Sequence, residues 1–158
     1  MSPDFSTLDV EARAEQAVTY FKSGYNCAQA VYMAYADFFG MEPKTAAVIA
    51  APMGAGIGRM REVCGTVSGA ALIAGLAIPC DNPTDMAAKT RCYALVQQVA
   101  DRFREANGSI ICRELLGIAP IKESPVPSPR TENYYKKRPC VELVRMSATF
   151  IGEALKEV

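Results

Sequence analysis

Apolar residues along this chain recur at three- and four-residue intervals, the spacing of one helix face, rather than in the alternation of a strand. Val10, Ala14, Ala17, Val18 and Phe21 form the first such stripe. It predicts a helix that starts near Ser6 or Thr7, whose hydroxyls can cap free amides, and ends at Ser23-Gly24. Asn26 predicts the cap of a second helix over 27–39, closed by Gly40. Pro43 suits a helix start, where its missing N–H has no partner to lose, and opens a short helix over 44–51. Gly54, Gly56 and Gly58 then mark a loop or tight turn.

A helix over 64–77 follows, in which Gly65, Gly69 and Gly75 lower helix propensity but admit close approach of another backbone. Asn82-Pro83 reads as the cap and first residue of the longest helix, which reaches Asn107 with Gly108 beyond it. Its core stripe is Ala88, Cys92, Leu95, Val96, Val99 and Phe103. Ser109 caps a short helix to Leu116, stopped by Gly117. Five prolines at 120, 125, 127, 129 and 139 leave no periodicity over 118–139, which predicts an irregular excursion over the surface. A last helix runs over 140–156. No repeat, low-complexity tract or linker divides the chain. The expectation is an all-α, single-domain helical bundle over 1–158, of about six to seven helices, with a Gly-rich loop and a Pro-rich surface excursion.

Composition narrows the chemistry. The 158 residues suffice for one domain with a core of its own. Seventeen basic residues balance seventeen acidic ones, which argues against a whole-domain nucleic-acid binder. There are six cysteines and no histidine. The missing imidazole excludes Ser-His-Asp and Cys-His catalysis, mixed Cys/His zinc sites and haem held by histidine. The N-terminal stretch has neither the basic nor the apolar segment of a signal peptide. The longest uncharged apolar stretch, 67–80, is too short for a membrane span of about 20 residues. A cytoplasmic location is therefore expected, where thiols stay reduced and unusual cysteines bind metals or carry redox chemistry.

Cys27, Cys64, Cys112 and Cys140 all fall at predicted helix N-termini, where unpaired amides and the helix dipole stabilise a thiolate. Arg59, Arg61, Arg113 and the Lys136-Lys137-Arg138 run would push the same thiols further down in pKa. The plainer alternative is that cysteine serves as a small hydrophobe. Cys92 fits that role on the core stripe, whereas Cys80 lies in a connection and is free, inert or a resolving thiol. The intervals of 37, 48 and 28 residues between the four contain no C-x-x-C, so any shared site is assembled in space. Such a site could hold an iron–sulfur cluster or a tetrahedral zinc, or cycle between dithiol and disulfide.

Ser23-Gly24-Tyr25-Asn26-Cys27-Ala28-Gln29-Ala30, Gly54-Ala55-Gly56-Ile57-Gly58 and Cys64-Gly65-Thr66-Val67-Ser68-Gly69-Ala70 together resemble the C-GCAxxG-C-C family. The segment from Gly108 to Gly117 around Cys112, and the late Cys140, extend the resemblance over nearly the whole chain. Thr66 stands where the motif has alanine. The resemblance implies a small helical protein with a redox or metal role, its four cysteines falling on Cys27, Cys64, Cys112 and Cys140.

Other motifs carry less. Gly54, Gly56, Gly58 and Arg59 are the candidate cofactor-binding residues, but the glycine spacing misses G-x-G-x-x-G and no Lys-Ser/Thr follows. Their more natural role is to bring the loop against another backbone near Cys64. Glu11 and Glu15 read as a solvated helix face, and Tyr134 to Arg138 as a surface loop or partner contact rather than an RNA site. The leading expectation is a redox protein whose four thiols ligate an iron–sulfur cluster or zinc, or exchange disulfides as an oxidoreductase. An unidentified redox partner and self-association are the expected contacts, with no nucleic acid and no membrane span. The alternative is a non-catalytic helical binding or oligomerisation module with structural cysteines.

Overall fold

The computed structural model describes residues 3–158; the first two residues of the N-terminal stretch lie outside it. The described residues contain helices and no β-strand, only one isolated bridge between Val63 and Ile111. The elements in chain order are α1 (Val10–Lys22), α2 (Cys27–Ala36), α3 (Pro43–Ala50), a four-residue turn α4 (Gly54–Ile57), α5 (Gly65–Ala77), α6 (Met86–Asn107), α7 (Cys112–Leu116), α8 (Glu132–Lys137) and α9 (Cys140–Leu155). This is the all-α architecture expected from the periodicity.

Three helix starts, those of α1, α6 and α7, lie later than expected. Asp9, not Ser6 or Thr7, caps α1 by accepting the Ala12 amide, while Phe5–Thr7 form a separate 3-10 turn. Asp85 likewise caps α6 through the Ala88 amide. The Asn82 side chain instead accepts the Thr84 amide and hydroxyl, making a local turn that competes with helix. Asn26 does cap α2, in a reciprocal box with Gln29 that satisfies two amides at once. Ser109 accepts the Ile111 amide and bonds Glu114, so it braces the turn before α7 without being its cap residue. The excursion over 118–139 is not wholly irregular. Thr131 accepts the Tyr134 amide and starts α8, and the Glu132–Lys136 pair one turn apart supports it.

Helix α1 packs on α9 and α2, α2 packs in turn on α5, and α6 closes the bundle against α5 and α9. Phe21, Val31, Tyr35, Ile73, Val144, Ile151 and Leu155 are fully enclosed between them. The α2–α5 approach uses a missing side chain, because a Cβ on Gly69 would meet the Ala28 carbonyl oxygen at 2.8 Å. Gly75, read alongside it as an approach residue, has open space around it. On α6, Ala88, Leu95, Val99 and Phe103 are buried as expected, but Cys92 and Val96 are only half-buried. A second, smaller cluster of Cys64, Val67, Ala100, Phe103 and Leu143 joins α5, α6 and α9 and supports the floor of the cavity described next.

Candidate functional site

Cys27 and Cys140 are the first residues of α2 and α9, Cys64 is the residue capping α5, and Cys112 opens α7. All four line one cavity of about 340 Å³. Gly54, Gly58 and Arg59 line the same cavity; Gly56 does not. Cys80 and Cys92 stand apart from it; Cys92 packs half-buried against the core, with its thiol beside Cys80.

Backbone geometry accounts for this convergence. The Cys64 amide donates to the Ile110 carbonyl at 2.7 Å and the Cys112 amide to the Glu62 carbonyl at 2.6 Å. These bonds flank the Val63–Ile111 bridge and fix the starts of α5 and α7 to one another. Cys27 sits against the first turn of α5, and Gly65 is what lets it: a Cβ there would overlap the Cys27 sulfur and lie 3.1 Å from both the Ala28 amide and the Met53 carbonyl.

The chain between Gly54 and Arg61 is unusual. Ala55, Gly56, Ile57, Gly58 and Arg59 all have positive φ, followed by Arg61 at φ 60°, so α4 is a left-handed turn. Each non-glycine residue there costs roughly 1–2 kcal/mol, and β-branched Ile57 is a rare occupant. Gly56 is required for space as well as conformation, since a Cβ would strike the Arg61 backbone at 2.5 Å. This is the close backbone approach expected of the glycine loop. One return is local: the Ala55 amide points at the Cys27 sulfur, alongside the amides of Cys27 and Ala28. Such strain gathers where surrounding structure imposes it, commonly at functional sites.

Burial overturns the expected thiol electrostatics. It raises the Cys27 thiol above its ordinary value despite those amides, and pushes Cys64 and Cys140 up to about 12. Removing a thiolate from water outweighs the helix dipole and the neighbouring cations. The Thr66 hydroxyl, 3.1 Å from the Cys64 sulfur, opposes the rise without cancelling it. The cation that does reach a site sulfur is not Arg113, the sequence neighbour of Cys112, but Arg61, whose guanidinium lies 3.8 Å from the Cys112 sulfur. Because Cys64 and Cys140 hold their protons more tightly folded than unfolded, their contribution to stability is fully present below about pH 9. It is lost as the pH rises toward about 12. Denaturant midpoints should fall across that window, and less steeply in Cys64→Ala and Cys140→Ala than in the parent.

Sequence reasoning missed the wall that covers the site. Arg59 and Arg61 both bond Glu123, which comes from the proline-rich excursion. The Arg61 and Arg59 hydrogen bonds hold its carboxyl down at about 2. Further along, Arg130 donates to the carbonyls of Phe21 and Tyr25 at 3.0 and 2.9 Å and stacks over the Phe21 ring. Pinned at both points, the excursion places Pro125, Pro127 and Tyr134 on the cavity. It is a wall of the site, and Tyr134 belongs to that wall rather than to a free surface loop. The one available signal was that Glu123 is the only acid between Glu114 and Glu132.

Among the described residues no three Cys, Asp or Glu side chains have the spacing to share one ion. No described helix is long and apolar enough to cross a membrane. No curated protein and no solved structure matches the chain. The family described as "Putative redox-active protein (C_GCAxxG_C_C)" matches residues 25–154. That span runs from the residue before the Asn26 cap to the last turn of α9 and contains all six cysteines, and the chain is a member of the C_GCAxxG_C_C family.

Proposed function

We propose that Cys27, Cys64, Cys112 and Cys140 form a thiol–disulfide redox centre, with Cys27 common to its exchange steps. The observation that carries this reading is the arrival of four thiols, from four helix N-termini, at one cavity. Cys64 and Cys140 each feel Cys27 more strongly than Cys112, and Cys27 itself feels Cys112. In the exchange, one site thiolate attacks a disulfide sulfur and expels the other sulfur as a thiolate. A second site thiol then displaces the first-bonded sulfur, leaving an intraprotein disulfide and a fully reduced partner. Two electrons leave the protein, and the two thiol protons end on the released thiols. A negative charge developing on Cys112 would meet the Arg61 guanidinium directly, and the three amides aimed at Cys27 would serve it in the same way. The high proton affinity of the Cys27, Cys64 and Cys140 thiols keeps those three neutral until a substrate enters.

The test equilibrates reduced protein, free of oxygen, with graded ratios of reduced to oxidised dithiothreitol and counts alkylated thiols by mass. Two thiols should disappear in one reversible transition, abolished in Cys27→Ala and retained in Cys80→Ala and Cys92→Ala. Four permanently reduced thiols, or an unchanged transition in Cys27→Ala, would refute the reading. A stoichiometric sulfur-bound metal in protein purified without oxygen would replace it with the metal-centre alternative.

A further inference from the structure

The chain as a whole is neutral, yet the cavity is not. Arg59, Arg61, Arg130 and Arg138 line it, and no acidic side chain among the described residues does. Glu123 answers Arg59 and Arg61. Arg130 spends its donors on backbone carbonyls and a tyrosine hydroxyl, which satisfy hydrogen bonds without cancelling charge. The Arg138 guanidinium stacks over the Tyr134 ring, 4.7 Å from its centroid, and has no hydrogen-bonded or ion-paired partner among the described residues. The Arg59 Nε is buried without a partner. Four guanidinium charges therefore face one carboxylate, between apolar walls that include Leu115, Leu116 and Leu143 and weaken screening. Cys27, Cys64 and Cys140, whose thiols burial holds neutral, do not offset this excess.

We propose that this cavity selects an anionic thiol-reactive molecule of low molecular weight, namely a carboxylate-bearing disulfide. The assignment rests on the redox reading above and adds the substrate class to it. A volume of about 340 Å³ suits a small molecule rather than a folded partner. Arg138 receives a carboxylate at the cavity, and the disulfide is thereby presented to the cysteines. A site thiolate attacks one sulfur of R–S–S–R and releases one RS⁻. A second site thiol displaces the other, so that the protein gains one disulfide and two RSH molecules leave.

Charge selection is read first by alkylation, independently of redox chemistry. Rates with iodoacetate and iodoacetamide are measured for each cysteine by peptide mass; their ratio cancels the thiolate fraction, and exposed Cys80 supplies the reference. The iodoacetate-to-iodoacetamide ratio at the cavity thiols should exceed that at Cys80 by about tenfold, the lower end of electrostatic focusing. It should fall toward the Cys80 value in Arg138→Gln and in high salt, and persist in Arg138→Lys. A ratio at the cavity no higher than at Cys80, or unmoved in a folded Arg138→Gln, overturns the proposal. Oxidation rates with dithiodipropionate, hydroxyethyl disulfide and cystamine, which are anionic, neutral and cationic, should then decrease in that order. Equal rates for all three preserve the redox reading and overturn the charge selection. Oxidation by none of them overturns the redox reading and the disulfide assignment with it.

Discussion

Gly152→Ala should lower the melting temperature by roughly 5–15 °C, although it places a better helix former inside α9. Propensity alone favours alanine by about 1 kcal/mol. The space is already taken. A Cβ on Gly152 would overlap the Tyr35 hydroxyl and lie 2.9 and 3.1 Å from the two Val10 methyl carbons. Tyr35 is fully buried, and its hydroxyl donates to the Ala148 carbonyl at 2.6 Å, so its ring has nowhere to retreat. The helix α9 is forced off α1 and α2, and that hydrogen bond is broken inside the core. Overpacking costs about 1–3 kcal/mol, and an unmade buried hydrogen bond about the same again. The net loss is about 2–4 kcal/mol, converted at roughly 2–4 °C per kcal/mol for a chain of this size. Adding Tyr35→Phe removes the overlapping oxygen, and the double variant should melt above Gly152→Ala alone. A raised melting temperature in Gly152→Ala would show that the α1–α9 contact is looser than this packing requires.

The same kind of packing separates what the sequence revealed from what it hid. Helical periodicity located the long helices, because each buries one stripe whose spacing is set by 3.6 residues per turn. The placement of four cysteines at helix starts was also legible, since Asn26, the glycines and Pro139 are local signals. Helix starts were less so where two capping residues competed, as at Ser6 against Asp9 and Asn82 against Asp85. The left-handed run left almost no trace, because Ala55, Ile57, Arg59 and Arg61 have no compositional reason to adopt positive φ. Their conformation is imposed by the bridge beyond them and the tight return past Gly56. Thiol electrostatics were read with the wrong sign for Cys27, Cys64 and Cys140. Helix ends and nearby cations are visible in sequence, whereas desolvation depends on everything that packs above them. Glu123 pairs with Arg59 and Arg61 from more than sixty residues away, a contact that only the folded excursion creates.

Gly65→Ala should silence the redox transition with the helical fold retained, an effect out of proportion to one methyl group. Gly65 is the first residue of α5 and the surface on which the Cys27 sulfur rests. The added methyl cannot turn away, since a Cβ has no torsion of its own. Neither can the neighbouring backbones readily yield: Cys27 is anchored by the Asn26–Gln29 capping box, and Cys64 by its 2.7 Å bond to Ile110. What remains is for the Cys27 sulfur to rotate out of the cavity and away from the amide of Ala55. Thiol exchange depends on access and on which sulfur can be attacked. The two-thiol transition should therefore vanish or slow by at least about tenfold, a shift of about 1.4 kcal/mol in the barrier. Gly75→Ala, on the same helix but in open space, is the matched comparison. It should keep the transition and gain about 0.5–1 kcal/mol of stability from propensity alone. The measurement is the anaerobic thiol count of both variants beside circular dichroism. Normal cycling in Gly65→Ala would mean that the position of Cys27 against α5 is irrelevant to the chemistry, and Cys27 would lose its place as the shared sulfur of the centre.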